Sequence, residues 1–177
     1  MESDFDPNGF DGVWRMYLPD SKIKDPITGE WVPEVLKGQL LEIRTDGDVM
    51  DYRIRIDITD DLTTYMKYTC RFGDEEWAPY TVYHIDGDPN HEMLKPSDIL
   101  KGGTRLGEPV AFIKQVYVDP RTQYRITKNP DGSAQYVMLR RLSEDRQRNV
   151  GTVLTAEGEA EIAKHFIRDA GPAPIWP

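Results

Sequence analysis

The chain has a single cysteine, Cys70, among 177 residues. One thiol cannot form an intramolecular disulfide, so packing alone must hold the fold, and a reducing compartment is expected. Cys70 sits on the apolar parity of a strand, the setting of a buried, inert thiol rather than a nucleophile. No apolar run approaches the roughly 20 residues needed to span a bilayer. The first twelve residues are acidic and polar rather than signal-like, so a soluble, cytoplasmic protein is expected. Positive charge is in short supply: 22 Lys plus Arg face 31 Asp plus Glu, a net charge of −9. A field of that sign repels phosphate backbones and anionic lipid, which argues against nucleic acid and membrane surfaces as partners. Nucleotide fingerprints are missing, since Gly102-Gly103 and Gly107 lack any Lys-Ser/Thr continuation. There is no Ser-centred elbow. The three histidines, His84, His91 and His165, have no close ligand spacing, so no metal and no cofactor are expected. Asp4-Phe5-Asp6-Pro7-Asn8-Gly9 copies the first half of a calcium loop, but Arg15 stands where a bidentate Glu is required. It reads as a turn-rich arm.

What the chain does have is alternation. In Val49–Ile58, Tyr52, Ile54, Ile56 and Ile58 share one parity, and Asp51, Arg53, Arg55 and Asp57 the other. Such a strand has one dry and one wet face. Similar segments recur at Gly12–Leu18, Leu36–Arg44, Leu62–Phe72, Trp77–Ile85, Val110–Val118, Thr122–Lys128 and Gln135–Leu142, with a short ninth at Asn149–Leu154. Turn signals such as Asp46-Gly47 and Asn129-Pro130-Asp131-Gly132 separate them. Ile162, Ala163, Phe166 and Ile167 fall at helical spacing after Thr155, so a helix is expected over 156–169. Eight or nine antiparallel strands make either a sandwich or a closed up-and-down barrel. Closure is the better expectation, because it removes exposed sheet edges. The domain reading is one unit over 1–177, with a flexible arm at 1–11, a long lid-like loop at 86–109, and the C-terminal helix.

Gly12-Val13-Trp14, opening the first strand after a short arm, resembles the Gly-x-Trp signature of lipocalins and their wider calycin relatives. The resemblance implies a lipocalin-like barrel followed by a helix. It also implies that Trp14 lies across the closed end with a late-strand arginine, Arg140 or Arg141, packed on it. At about eight strands the interior has room for one small ligand or for packed side chains.

Eighteen aromatic rings, nine of them tyrosines, suit a pocket wall as well as plain strand packing. Polar groups within apolar strands give candidate chemistry. His84, as base, with Lys114 and Tyr124, as acid or oxyanion donors, form an expected catalytic set if all face one hollow. Tyr52, Tyr68, Tyr80, Tyr117, Arg125 and Tyr136 are the expected substrate contacts. Trp14 and Arg140 are expected to be structural. Two functions follow. One is a cofactor-independent lyase or isomerase acting by acid–base chemistry on an aromatic or polyketide-like molecule. The alternative is a non-catalytic carrier for a small hydrophobic ligand. The expected partner is that small hydrophobic or aromatic ligand, with homodimerisation left open.

Overall fold

A computed structural model describes residues 4–177. Twelve strands build it: β1 (Gly12–Met16), β2 (Lys22–Lys24), β3 (Trp31–Pro33), β4 (Gly38–Asp46), β5 (Val49–Thr59), β6 (Leu62–Arg71), β7 (Ala78–Asp86), β8 (Pro109–Asp119), β9 (Thr122–Lys128), β10 (Ala134–Leu142), β11 (Arg148–Thr155) and β12 (Ala160–Arg168). Neighbours pair antiparallel from β4 through β12, and β1 joins β4 to β12, so ten strands close a barrel. The expected barrel is therefore right in kind and short in strand number.

The alternation that predicts β5 is obeyed: Met50, Tyr52 and Ile54 are buried, and their odd-numbered neighbours Asp51 and Arg53 are exposed. On β6 the inward set is Leu62, Thr64, Met66, Tyr68 and Cys70. Burying these faces inside one closed sheet is the main source of stability, at roughly 25 cal/mol per Å² of apolar surface.

The expected C-terminal helix over 156–169 is not formed; the segment is β12. Ile162, Lys164 and Phe166 point into the barrel, and Ala163, His165 and Ile167 occupy the other parity. Apolar residues on both parities, with a lysine in the middle of the inward set, erase the two-residue rhythm. What is left looks helical. Residues 20–33, which lie between the expected strands Gly12–Leu18 and Leu36–Arg44, contain β2 and β3. β1 pairs the C-terminal half of β12 and β2 pairs its N-terminal half, so β1 and β2 run along one edge of β12. The break between them is bridged by Ser21, which is buried; its hydroxyl accepts from His165 N at 3.0 Å and donates to Tyr17 O at 2.9 Å. Residues 86–109 hold only one short 3-10 turn, Glu92–Leu94. Of the expected arm, residues 1–3 lie outside the described residues, and Pro7–Phe10 forms a 3-10 turn with Phe10 buried.

Trp14 lies across the closed end, fully buried, and its indole N–H donates to Phe10 O at 2.8 Å. The arginine on it is Arg168 of β12, 4.2 Å from the ring, not Arg140 or Arg141. Arg168 also donates to Asp11 O at 2.6 Å, Gly9 O at 3.1 Å and Arg146 O at 3.2 Å. This clamp explains the glycine of the signature. Gly12 has a φ of +122°, and a Cβ there would lie 2.7 Å from Arg168 Nη1. Gly12→Ala should therefore destabilise the protein by about 1–3 kcal/mol, read as a lower melting temperature, through backbone strain and a displaced guanidinium.

Candidate functional site

The barrel encloses a cavity of about 170 Å³ above the Trp14 end. Its walls are mostly apolar, with Leu41, Ile54, Met66 and Phe166 from the strands, and Ile99 and Leu100 of the 86–109 loop lining it as well. A second, more polar cavity of about 250 Å³ shares Ile99, Tyr136 and Val153 with the first. It is also lined by Asp98, Lys101, Thr155 and Glu157, so it borders the inner space between the long loop and the β11–β12 turn.

Three cationic side chains line the inner cavity: Arg125 on β9, Arg140 on β10 and Lys164 on β12. Arg125 is held among four tyrosine rings, at 5.2 Å from Tyr80, 5.6 Å from Tyr52, 5.6 Å from Tyr136 and 5.9 Å from Tyr68. Tyr52 and Tyr68 stack with centroids 4.6 Å apart, and Tyr80 meets Tyr68 edge-on at 5.3 Å. Ring faces attract a cation, so the tyrosines partly replace the water that the guanidinium has lost. Arg125 Nη2 donates to Tyr136 OH at 2.8 Å, but Arg125 Nε and Nη1 are buried without a partner. Arg140 sits 4.7 Å from the Tyr52 ring; its Nε meets Met138 Sδ at 3.4 Å and its Nη1 is unpartnered. Among the described residues no carboxylate pairs with either arginine. Lys164 faces the buried carboxylate of Glu34, whose Oε2 lies 3.6 Å from the ammonium. Three cations against one carboxylate leave the interior positive, inside a chain that is negative overall.

Proton equilibria follow from this placement. Burial alone would raise the Tyr52 phenol, but the charges of Arg140 and Arg125 outweigh it and lower the pKa. Tyr68 and Tyr80 are raised, chiefly by burial. Burial also pushes the Cys70 thiol up to about 12, which makes it inert at neutral pH. Lys164 is lowered, by burial first, with Glu34 opposing.

The sequence-predicted residues divide cleanly. Tyr52, Tyr80, Arg125 and Tyr136 line the cavity, and Tyr68 supports them from behind through its stack on Tyr52. Tyr117 lies elsewhere, its ring 4.7 Å from Phe5 and its hydroxyl donating to Asp4 O at 2.8 Å. Arg140, expected as the structural cap over Trp14, lines the cavity instead. His84, Lys114 and Tyr124 do not converge on the interior. A β-bulge sets Tyr65 opposite His84 and Met66 opposite Val82, so Tyr83 is the extra residue and His84 moves to the outer parity. His84 Nε2 then pairs with Asp86 Oδ1 at 2.7 Å in solvent. Lys114 alternates with the buried Ile113 and Gln115, and its ammonium lies 5.1 Å from the Trp77 ring. Tyr124 alternates with the buried Gln123 and Arg125 on the outer face of β9. Lys164 and Glu34 were missed. The inward set of Ile162, Lys164 and Phe166 could have revealed the lysine; nothing in the Pro-rich stretch around Glu34 marks a buried acid.

Among solved structures, a mutant of the fluorescent protein UnaG matches with a TM-score of 0.54, at 19% identity over 93% of this chain and 99% of that one. The chain folds as a closed, lipocalin-like β-barrel. No family model and no curated protein matches its sequence. The likeness is therefore one of architecture. No helix among the described residues is long and apolar enough to cross a membrane.

The lowered Tyr52 pKa gives a signed expectation. Its native value lies below the ordinary 10, so ionisation favours the native state. That contribution is present above pH 10 and fades as pH falls through the native pKa. The same phenolate would neutralise the arginines, so affinity for an anionic probe should fall as pH rises through this window. Phenolate absorbance followed alongside binding checks it, and Tyr52→Phe should flatten the decline.

Proposed function

We propose that this protein is a non-catalytic carrier that holds a small hydrophobic ligand with an anionic end inside the barrel. The observation that supports it is the pair of buried guanidiniums, Arg125 and Arg140, with N–H groups that the protein leaves unpaired beside a mostly apolar cavity. A buried unpartnered donor costs about 1–3 kcal/mol, more when charged. A carboxylate, sulfonate or similar head group would satisfy those donors bidentately, while its apolar part lies against Leu41, Ile54 and Met66. The tyrosine cage holds Arg125 in place before the ligand arrives, which lowers the ordering cost of binding.

The acid–base enzyme finds no matching support. No histidine lines the cavity, and the expected base, acid and oxyanion donor, His84, Lys114 and Tyr124, are on the outer face. Ile99 and Leu100 make the 86–109 loop the lid of this reading, opening beside the polar cavity at the β11–β12 turn. A cytoplasmic setting belongs to the same reading, supported by one buried, unpaired thiol.

Calorimetric titration with decanoate and with decanol tests the proposal. Decanoate should bind at least about tenfold tighter, since charge-assisted hydrogen bonds contribute roughly 1.5–3 kcal/mol. Arg125→Met and Arg140→Met should each lower decanoate affinity about tenfold or more and leave decanol binding little changed. Equal affinity for acid and alcohol would overturn the reading. Ligand-free, both variants should be as stable as the parent or more so, by up to about 4 kcal/mol, because an uncompensated buried charge is gone. Thermal melts of the ligand-free proteins read this directly.

A further inference from the structure

Lys164 differs from the other eight lysines of the chain in its surroundings. Its side chain is 13% exposed, against 57% for Lys37 and 60% for Lys95. It lines the inner cavity among apolar groups, between Ile162 and Phe166 of its own strand. Directly across the β11–β12 ladder stands Gly151, which brings no side chain of its own. A Cβ at Gly151 would already touch Met138 Sδ at 3.4 Å.

Glu34 is the second element. Its side chain is 2% exposed, and it enters from the short linker between β3 and β4. Its Oε1 is fixed by the amides of Val35 at 2.9 Å and Leu36 at 3.0 Å. Its Oε2 accepts no hydrogen bond and stands 3.6 Å from Lys164 Nζ. An amine in an apolar hollow, with one immobilised carboxylate oxygen beside it, is the pairing needed to condense an amine with a carbonyl.

We propose that Lys164 is a covalent capture site for small apolar aldehydes, holding them as an imine with Glu34 as proton carrier and counter-ion. This goes beyond reversible anion binding and does not depend on the arginine pair. The ammonium first gives its proton to Glu34 Oε2, leaving a free amine. The amine nitrogen attacks the aldehyde carbon, and the N–H proton moves to the former carbonyl oxygen, giving a neutral carbinolamine. Glu34 returns its proton to that hydroxyl, the C–O bond breaks, and water leaves. The products are a protonated imine, one water molecule and the Glu34 carboxylate, so charge and atoms balance. Burial favours the free amine at the start and slows hydrolysis of the imine afterwards. The direction of the Lys164 pKa, downward by burial despite Glu34, agrees with that order of events. An aldehyde is favoured over a ketone because its carbonyl carbon is more electrophilic and less hindered toward an amine nucleophile.

The test uses the full chain, trans-cinnamaldehyde as probe, and cyanoborohydride to reduce any imine to a stable secondary amine, followed by peptide mass spectrometry. At limiting aldehyde, Lys164 should carry several-fold more label than the average of the other lysines, because burial favours its free amine and the apolar hollow concentrates the probe. Glyceraldehyde, which is hydrophilic, should show no such preference. Glu34→Gln should slow labelling of Lys164 about tenfold, as expected for loss of general acid–base help, without changing the surface lysines. Lys164→Arg should lose the labelled peptide; if it misfolds by circular dichroism, the parent's peptide map decides alone. Label spread evenly over the lysines of folded protein overturns the proposal, and an unchanged Lys164 rate in Glu34→Gln overturns the role given to Glu34. Failure of the carrier reading is separable: it appears as equal decanoate and decanol affinity, while Lys164 labelling persists.

Discussion

Everything inside this molecule depends on the pairing of its first strand with its last. Only three residue pairs, Trp14–Arg168, Arg15–Ile167 and Met16–Phe166, close the ring directly. Without them β1 and the C-terminal half of β12 would be free edges of a long sheet, and the interior would be open to water. The closure is reinforced at the same place by Arg168, which covers Trp14 and collects carbonyls from Gly9, Asp11 and Arg146. A single guanidinium thus ties the N-terminal turn, the first strand and the last strand together. Because β1 leaves β12 half-way and β2 takes over, the ring has a seam, and Glu34 reaches the interior from the linker that follows the β2–β3 hairpin.

A closed, dry interior changes the value of every charge within it. On the surface, ion pairs such as Lys37–Asp60 or Arg148–Asp20 contribute little, since solvent screens them. In the barrel, Arg125 and Arg140 lie against ring faces with few hydrogen bonds, and among the described residues neither has an acid of its own. That arrangement is unfavourable for the fold in isolation. Under the proposed carrier function, stability and binding pull in opposite directions at these two positions. Lys164 and Glu34 are a different local solution: a buried pair of opposite charge, 3.6 Å apart.

Much of the architecture was legible along the chain because it follows from period-two alternation. Val49–Ile58 and Leu62–Phe72 announce their inward faces residue by residue, and Gly12-Val13-Trp14 marks the closed end. The tyrosines and Arg125 of the cavity could be read for the same reason, since each lies on the inward parity of a clean strand. Two failures have definite causes. β12 carries apolar residues on both parities and a lysine inside, so it imitates a helix; with it went Arg168 and Lys164. His84 follows a bulge at Tyr83, and one added residue reverses the facing of all that come after it in the strand.

Local chemistry along the chain determined that this protein is a curled antiparallel sheet, where most strands lie, and which faces are dry, because side-chain alternation is a property of the extended backbone itself. Tertiary structure alone decided which arginine covers Trp14, that the expected catalytic residues share no hollow, and that Glu34 meets Lys164 from 130 positions away. Those outcomes depend on bulges, on a broken strand and on how the ring closes. Each is a relation between distant segments, and no nearest-neighbour pattern encodes it.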